Sequence, residues 1–312
     1  MEILLEGGAV RFRAMPRGPF DLAHQNQHFG GWPTLSGDPG TIVMAFPVDG
    51  AWGASAAVTV RQEPSGAVHG EVHGTRDPSV AEMAAHQAVS ALSLDVDGTE
   101  WPRVGERDPV MGALQQRHGW LRPVLFHSGY EAAASFLLGH RLRITQARQV
   151  RKDLAARHGK MIMVGSQAFY AFPEPATLAG LTQFPGVAAE KWARLRVMSE
   201  ATLQGQLDRA RLRLGPADEV IADVQALPGV GPVFAQGIVI RGAGRSDEIT
   251  DDDITRHAVT QQYHLDHPAG RPDVGAVARA WCPFRTWAIV LLHVEARGSG
   301  GPQPRRSRPR RP

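Results

Sequence analysis

Two hydrophobic patterns divide the chain. Up to about residue 77, apolar positions come in short β-prone runs, Thr41–Phe46, Ala56–Arg61 and Ala67–Val72, separated by the turn-forming segments VDGAWG and EPSG. This predicts a small antiparallel sheet. Asp77-Pro78 then leads into VAEMAAHQAVSAL, an Ala-rich segment with helical spacing, so an α+β domain is expected over residues 1–121. From about Arg122 the pattern turns helical. Thr145 is placed to cap TQARQVRKDLAARHG, where Val150 and Leu154 sit four apart and Gly159 supplies a stop. Pro216 fits the first turn of PADEVIADVQAL, whose Ala217, Val220, Ile221, Val224 and Leu227 make one apolar stripe. Asp218 and Glu219 lie in that first turn, where the helix dipole favours acids. RTWAIVLLHVEAR is apolar nearly all round, which predicts a central, buried helix. The fold expected is therefore α+β: a sheet domain with a helix, then an all-helical domain over residues 122–296. No internal repeat of about 20–50 residues is read along the chain.

Composition narrows the classes. Apolar residues make up 43% of the 312 and charged residues 21%, and no apolar run approaches the ~20 residues of a membrane helix, so neither a disordered body nor a membrane-spanning protein is expected. The N-terminal MEILLEGGAVRFRAM has no basic start, long apolar core or small-residue cleavage site, which reads as a cytoplasmic protein. The single cysteine, Cys282, excludes internal disulfides, CxxC zinc sites and a four-cysteine iron–sulfur cluster. The net charge of +3 hides an asymmetry: RGSGGPQPRRSRPRRP, residues 297–312, carries six arginines and no acid, which leaves residues 1–296 at −3. With no apolar face to bury, this tail is expected to be a disordered arm that meets phosphate backbones, or a solvated terminus with no partner.

The segment richest in chemistry is Leu227-Pro228-Gly229-Val230-Gly231-Pro232, between the striped helix and a second helix over about Pro232–Arg241. Two helices joined by a tight Gly-x-Gly turn present free backbone amides at the start of the second, and these bind phosphate without a charged side chain. Pro-Gly turns between helices are common, so the turn alone leaves a purely structural reading open. Downstream, DEITDDDITRHAV places Asp251, Asp252 and Asp253 just before an apolar residue and Arg256.

Taken together, LPGVGPVFAQGIVIRGAG, DDDITR and WCPFRTWAIVLLH resemble the helix-hairpin-helix DNA glycosylase superfamily, specifically its 3-methyladenine DNA glycosylase II branch. The resemblance continues upstream through LSLDVD, DPVMGAL, YEAAASFLLGHRLRITQARQV and FPGVAAEKWARLR, and covers roughly Leu92–Val294. It implies a monomeric enzyme of base excision repair whose partner is double-stranded DNA. Such an enzyme flips a damaged base, here an alkylated purine, out of the duplex and hydrolyses its N-glycosidic bond.

Residue by residue, Asp252 matches the essential aspartate, with Arg256 four positions on. A carboxylate there stabilises the positive charge that develops on the sugar or orients the attacking water. Strand-nicking relatives carry a Schiff-base lysine just after the Gly-x-Gly turn; here that position is Val233, and no lysine follows Lys191, which implies a monofunctional enzyme. Gly229, Gly231, Pro232 and Arg256 would meet DNA. His140 and Arg141 match the turn that supplies a wedge, with Arg141 either the wedge or a phosphate contact, or else both only cap neighbouring helices. The backbone carbonyls of Gln225, Leu227 and Val230 match positions that hold a structural monovalent cation, and no other cofactor is implied. For the base pocket, Val233 and Gly237 stand where relatives carry aromatics, with Trp281, Phe284 and Trp287 as candidates to compensate.

Two other classes stay open. One is a non-catalytic DNA-binding module in which the acids are inert. The other is a metal-dependent phosphodiesterase drawing on the thirteen histidines, among them His24, His28, His69, His73, His257, His264 and His267.

Overall fold

The computed structural model describes residues 2–6, 9–29, 40–250 and 252–298. Asp251 and the tail from residue 299 lie outside them. The N-terminal sheet has five antiparallel strands, β1 (Glu2–Glu6), β2 (Ala9–Ala14), β3 (Thr41–Pro47), β4 (Ser55–Gln62) and β5 (Val68–His73), in the order β1-β2-β5-β4-β3. The three runs read from the sequence are the last three strands. The first two were not read, because EILLE and AVRFRA lie outside the turn-bounded runs.

Alternation sets the register in β5, where Val68, Gly70 and Val72 are buried and His69, Glu71 and His73 are half-buried. In β3 both faces are buried. Ile42, Met44 and Phe46 face a core shared with helix α2 (Pro78–Ala91), while Val43 and Ala45 pack under Ile162 and Phe169. The latter two belong to a hairpin, β6 (Met161–Val164) and β7 (Gln167–Tyr170), that the helical reading of the second half missed. Asp77 caps α2, its carboxylate accepting the Ser79 amide at 2.9 Å.

A second core is built by helices α5 (Gly129–Gly139), α8 (Ala189–Leu203), α10 (Ala217–Gln225) and α11 (Pro232–Ala243). A third joins Trp101, Val104, Met111 and Leu114, on and beside α3 (Pro102–Arg107) and α4 (Pro109–His118), to α12 (Asp253–Gln262), α13 (Arg271–Ala278) and α14 (Arg285–Gly298). Helices α3 and α4 turn their apolar side toward the C-terminal helices. Helix α6 (Ile144–His158) ends at Gly159 as expected but starts one residue before Thr145, with the Gln146 side chain accepting the Arg143 amide at 3.1 Å.

The joint between these layers is Arg122. Its guanidinium is buried and donates to five carbonyls, of Pro19, Ser93, Val96, Arg17 and Gly18 at 2.6–3.3 Å, and it stacks 4.9 Å from the Trp287 ring. Every donor direction of the fork is spoken for, which is how a buried cation is tolerated with carbonyl dipoles as its nearest partners.

One short turn occurs twice. Phe184-Pro185-Gly186-Val187 before α8 and Leu227-Pro228-Gly229-Val230 before α11 are the same turn. Gly186 and Gly229 have φ of +81° and +83°, and the valine amide bonds the carbonyl three residues back at 3.1 and 3.0 Å. The shared motif is only four residues long, too short to stand out as a repeat in the sequence.

Candidate active site and nucleic-acid interface

Burial of Val220, Val224, Leu227 and Val230 pins the α10–turn–α11 hairpin to the helical core and leaves Gly229, Gly231, Pro232 and Val233 exposed. Gly229 must be left-handed for the turn to close. At Gly231 a side chain would meet nothing within 4 Å, so the space above the turn is open. Pro232 has no N–H to satisfy, and the Val233 and Phe234 amides have no preceding helical turn to accept them. The hairpin presents donors outward at the positive end of α11. The carbonyls of Gln225, Leu227 and Val230 lie on the same turn, and that of Leu227 also accepts the Val230 amide.

The 139–141 turn lies beside the hairpin: the His140 ring stands edge-on to Phe234 at 5.6 Å. Arg141, exposed, has φ of +59°, a conformation that costs a non-glycine residue about 1–2 kcal/mol. Lys191 holds the turn by donating to the carbonyls of Leu138 and His140, both at 2.9 Å. Burial and then the positive charges of Arg141, Lys191 and Arg194 push the His140 imidazole below its usual range. Hairpin amides and basic side chains thus share one surface.

Asp252 is the N-cap of α12, its Oδ1 accepting the Thr255 amide at 2.8 Å. Its side chain is 32% exposed, so a second carboxylate oxygen is left to meet a substrate. Asp253 is exposed, and Arg256 lies one turn on, its amide bonded to the Asp252 carbonyl at 3.0 Å. The Gln236 side chain on α11 donates to the Ile249 carbonyl and ties the approach to Asp252 against the hairpin helix.

Under Asp252 sits a residue that sequence reasoning missed. His293, on α14, has Nε2 at 2.9 Å from Thr255 Oγ1 and 3.7 Å from Asp252 Oδ1. Burial lowers its pKa, Asp252 works against that, and Arg297 and Arg241 reinforce it. The only signal in the sequence was one polar residue on an otherwise apolar stretch of the last helix.

The pocket wall differs from expectation. Trp281, Phe284 and Trp287 are sealed in the third core at 0–3% exposure, Trp101 packing against Phe284 and Trp287 at 5.8 and 5.7 Å. The Trp281 indole N–H is already taken by Asp108 at 2.9 Å, and none of the three rings offers an exposed face to a base. Aromatic surface reaches the hairpin helix from α5 instead. Phe136 fills the space left by Gly237, where a Cβ would come within 2.5 Å of its ring, and it packs against Phe234 and Phe126 at 5.3 and 6.2 Å. One turn beyond Gly237 on the same face of α11 is Arg241, stacked 4.9 Å from Phe126.

Among the described residues no group of three or more His, Cys, Asp and Glu side chains could hold a metal ion, so the phosphodiesterase reading finds no site in them. No helix among them is long and apolar enough to cross a membrane.

No protein-family model matches the chain, and no curated protein matches it by sequence. Solved structures do. A 3-methyladenine DNA glycosylase from Archaeoglobus fulgidus aligns with a TM-score of 0.77 at 19% identity, over 92% of this chain and 98% of its own. An 8-oxoguanine glycosylase/lyase from Clostridium acetobutylicum, bound to double-stranded DNA with cytosine opposite 8-oxoG, gives 0.70 at 16% identity over 96% and 99%. A DNA-3-methyladenine glycosidase from Bacillus halodurans gives 0.53 at 20% identity over 64% and 90%. The likeness to the first two takes in nearly the whole chain, sheet included.

Proposed function

We propose that this chain, which has the fold of the helix-hairpin-helix DNA glycosylases, is a monofunctional DNA glycosylase of base excision repair acting on a damaged purine in duplex DNA. Alkylated purines are the class implied by its resemblance to the 3-methyladenine branch. The observation that carries the reading is a part-exposed carboxylate, Asp252, fixed at a helix N-terminus beside the hairpin helix. The hairpin amides take the phosphate backbone, Arg141 enters the gap left by the flipped nucleotide, and Asp252 faces the sugar. As the C1′–N9 bond breaks, its electron pair leaves with the base and positive charge grows on the sugar, which the anion stabilises. Water supplies the oxygen that bonds C1′, and the proton it releases goes to a neutral departing base or, where the base was cationic and leaves neutral, to solvent.

A lyase step needs a free amine at the sugar. Val233 supplies none, and the Lys191 amine is engaged by two carbonyls. The carbonyls of Gln225, Leu227 and Val230 suit a monovalent cation, since an oxygen that accepts one amide keeps a second lone pair. Such an ion would brace the turn.

Asp252→Asn tests the reading, because asparagine caps a helix as well as aspartate does. Single-turnover base release from duplexes carrying methylated, deaminated or oxidised bases is expected to fall at least about 100-fold, with duplex binding retained. Borohydride should trap no enzyme–DNA adduct. Wild-type protein that binds DNA but releases no base from the whole panel would leave the binding-module reading.

A further inference from the structure

Helix α14 holds the surroundings of Asp252 at two points. Near its start, Thr286 Oγ1 lies 2.9 and 3.0 Å from the carbonyls of Arg245 and Glu248 and accepts the Glu248 amide at 3.2 Å, which fixes the segment just ahead of Asp252. Two helical turns on, and so on the same face, is His293. Its Nε2 stands 2.9 Å from Thr255 Oγ1 and 3.7 Å from Asp252 Oδ1. Thr255 is fully buried, gives its amide to that same Oδ1 at 2.8 Å, and has Thr250 Oγ1 3.3 Å from its hydroxyl. One carboxylate oxygen is thus gripped by a residue whose side chain the imidazole holds. At 3.7 Å the ring is too far to hydrogen-bond with the carboxylate, yet close enough for its charge to be felt there.

We propose that His293 is a positioning residue for Asp252: neutral, it anchors Thr255 and through it the bound carboxylate oxygen, whereas protonated it lays a positive charge beside the carboxylate and slows base release. This rests on the glycosylase reading, in which the Asp252 anion stabilises the positive charge growing on the sugar. A cation next to that anion offsets its field at the sugar. Of the charged groups acting on the imidazole, Asp252 on α12 favours the protonated form, while Arg241 on α11 and Arg297 on α14 join burial in favouring the neutral one, and these prevail. On α4, Arg117 and His118 pair with Glu295 at 3.3 and 3.2 Å, two positions from His293 and on another side of α14. The ring is therefore neutral at neutral pH and gains its proton only on the acid side of the ordinary imidazole range.

Two measurements test this. In the free protein the His293 imidazole, assigned by the signal that His293→Gln removes, is titrated by NMR. Asp252→Asn takes away the one charge that favours the imidazolium and should lower the midpoint by about one pH unit. An unmoved midpoint would overturn the coupling without reference to activity. The second measurement is single-turnover base release by wild type divided by that of His293→Gln on the same duplex, from about pH 8 to pH 5, so that the lesion's own protonation cancels. Glutamine can hydrogen-bond Thr255 but takes no charge, so the ratio should be level at the alkaline end and fall about 3- to 10-fold toward pH 5, in step with the NMR midpoint. His293→Phe, which keeps a ring and drops the hydrogen bond, should slow release at pH 8 about 3- to 10-fold, with His293→Gln recovering most of that loss. A ratio that stays level, or equal rates for the Gln and Phe variants at pH 8, would overturn the positioning role and leave the glycosylase reading standing. Release of no base from any duplex at any pH would instead remove the glycosylase reading, and this inference with it.

Discussion

The two Pro-Gly-Val turns share a backbone and differ in the residues that follow it. At Gly229 the turn is followed by Gly231-Pro232, and no acid lies in the first turn of α11. At Gly186 it is followed by Ala188 and Ala189, and the first turn of α8 carries Glu190. An amide donor set is attractive to a phosphate only if the strand can approach it and no like charge stands there. The turn geometry is thus a device for closing two helices, and under the proposed function only the Gly229 copy serves as a phosphate site. The copies also touch, because Arg194 of α8 lies under Gly229, where a Cβ would come within 2.6 Å of its Cδ.

The largest expected difference between the copies comes from covering the amides. Gly231→Trp introduces a ring where nothing stands within 4 Å and at an ordinary φ of −84°, so the fold should survive while affinity for undamaged duplex falls at least about 10-fold. Each lost phosphate contact also lowers the salt dependence by roughly one counterion. Ala188→Trp at the matching position should change affinity less than about 2-fold on the same scale. Equal losses at both turns, measured by fluorescence anisotropy at fixed salt, would mean that both grip DNA.

A smaller contrast separates shape from function. Gly186→Ala and Gly229→Ala both force alanine into a left-handed conformation, and each should cost about 1–2 kcal/mol of stability. Only Gly229→Ala should also weaken DNA binding, since its Cβ displaces Arg194. Urea unfolding and duplex binding read the two effects independently, and weakened binding in Gly186→Ala would erase the distinction.

What could be read from the residues follows the same line between local and non-local physics. The hairpin was legible because its signals lie within a few positions of one another: the stripe ending in Leu227, the glycines, and Pro232 without an N–H. Asp252 was picked out by its match to the family's essential aspartate, while its place as the N-cap of α12 emerged only in the fold. Trp281, Phe284 and Trp287 were read as candidate pocket residues, but their partner Trp101 lies far away in the chain, and burial against it cannot be seen from spacing. His293 was invisible for the same reason: it is one polar residue on an apolar helix, and it acquires meaning only when α12 and α14 converge. The packing of α3 and α4 against helices from the other end of the sequence was out of reach of local spacing as well.

The smallest effect tests how the two turns cooperate. Glu190 and Arg194 form an ion pair one turn apart on α8, with the acid largely exposed and Arg194 beside the functional turn. An exposed pair of this kind is worth about 0–1 kcal/mol, so Glu190→Gln should leave stability almost unchanged. What it changes is the charge that a phosphate at Gly229 meets: an arginine no longer neutralised, and an acid removed from the neighbouring first turn. Duplex affinity should therefore tighten by roughly 2- to 5-fold at low salt and return toward wild type as ionic strength shortens the screening length to about 3 Å at 1 M. Weaker binding would mean that Glu190 earns its place by steering Arg194 toward the backbone, and the first turn would then belong to the phosphate site after all.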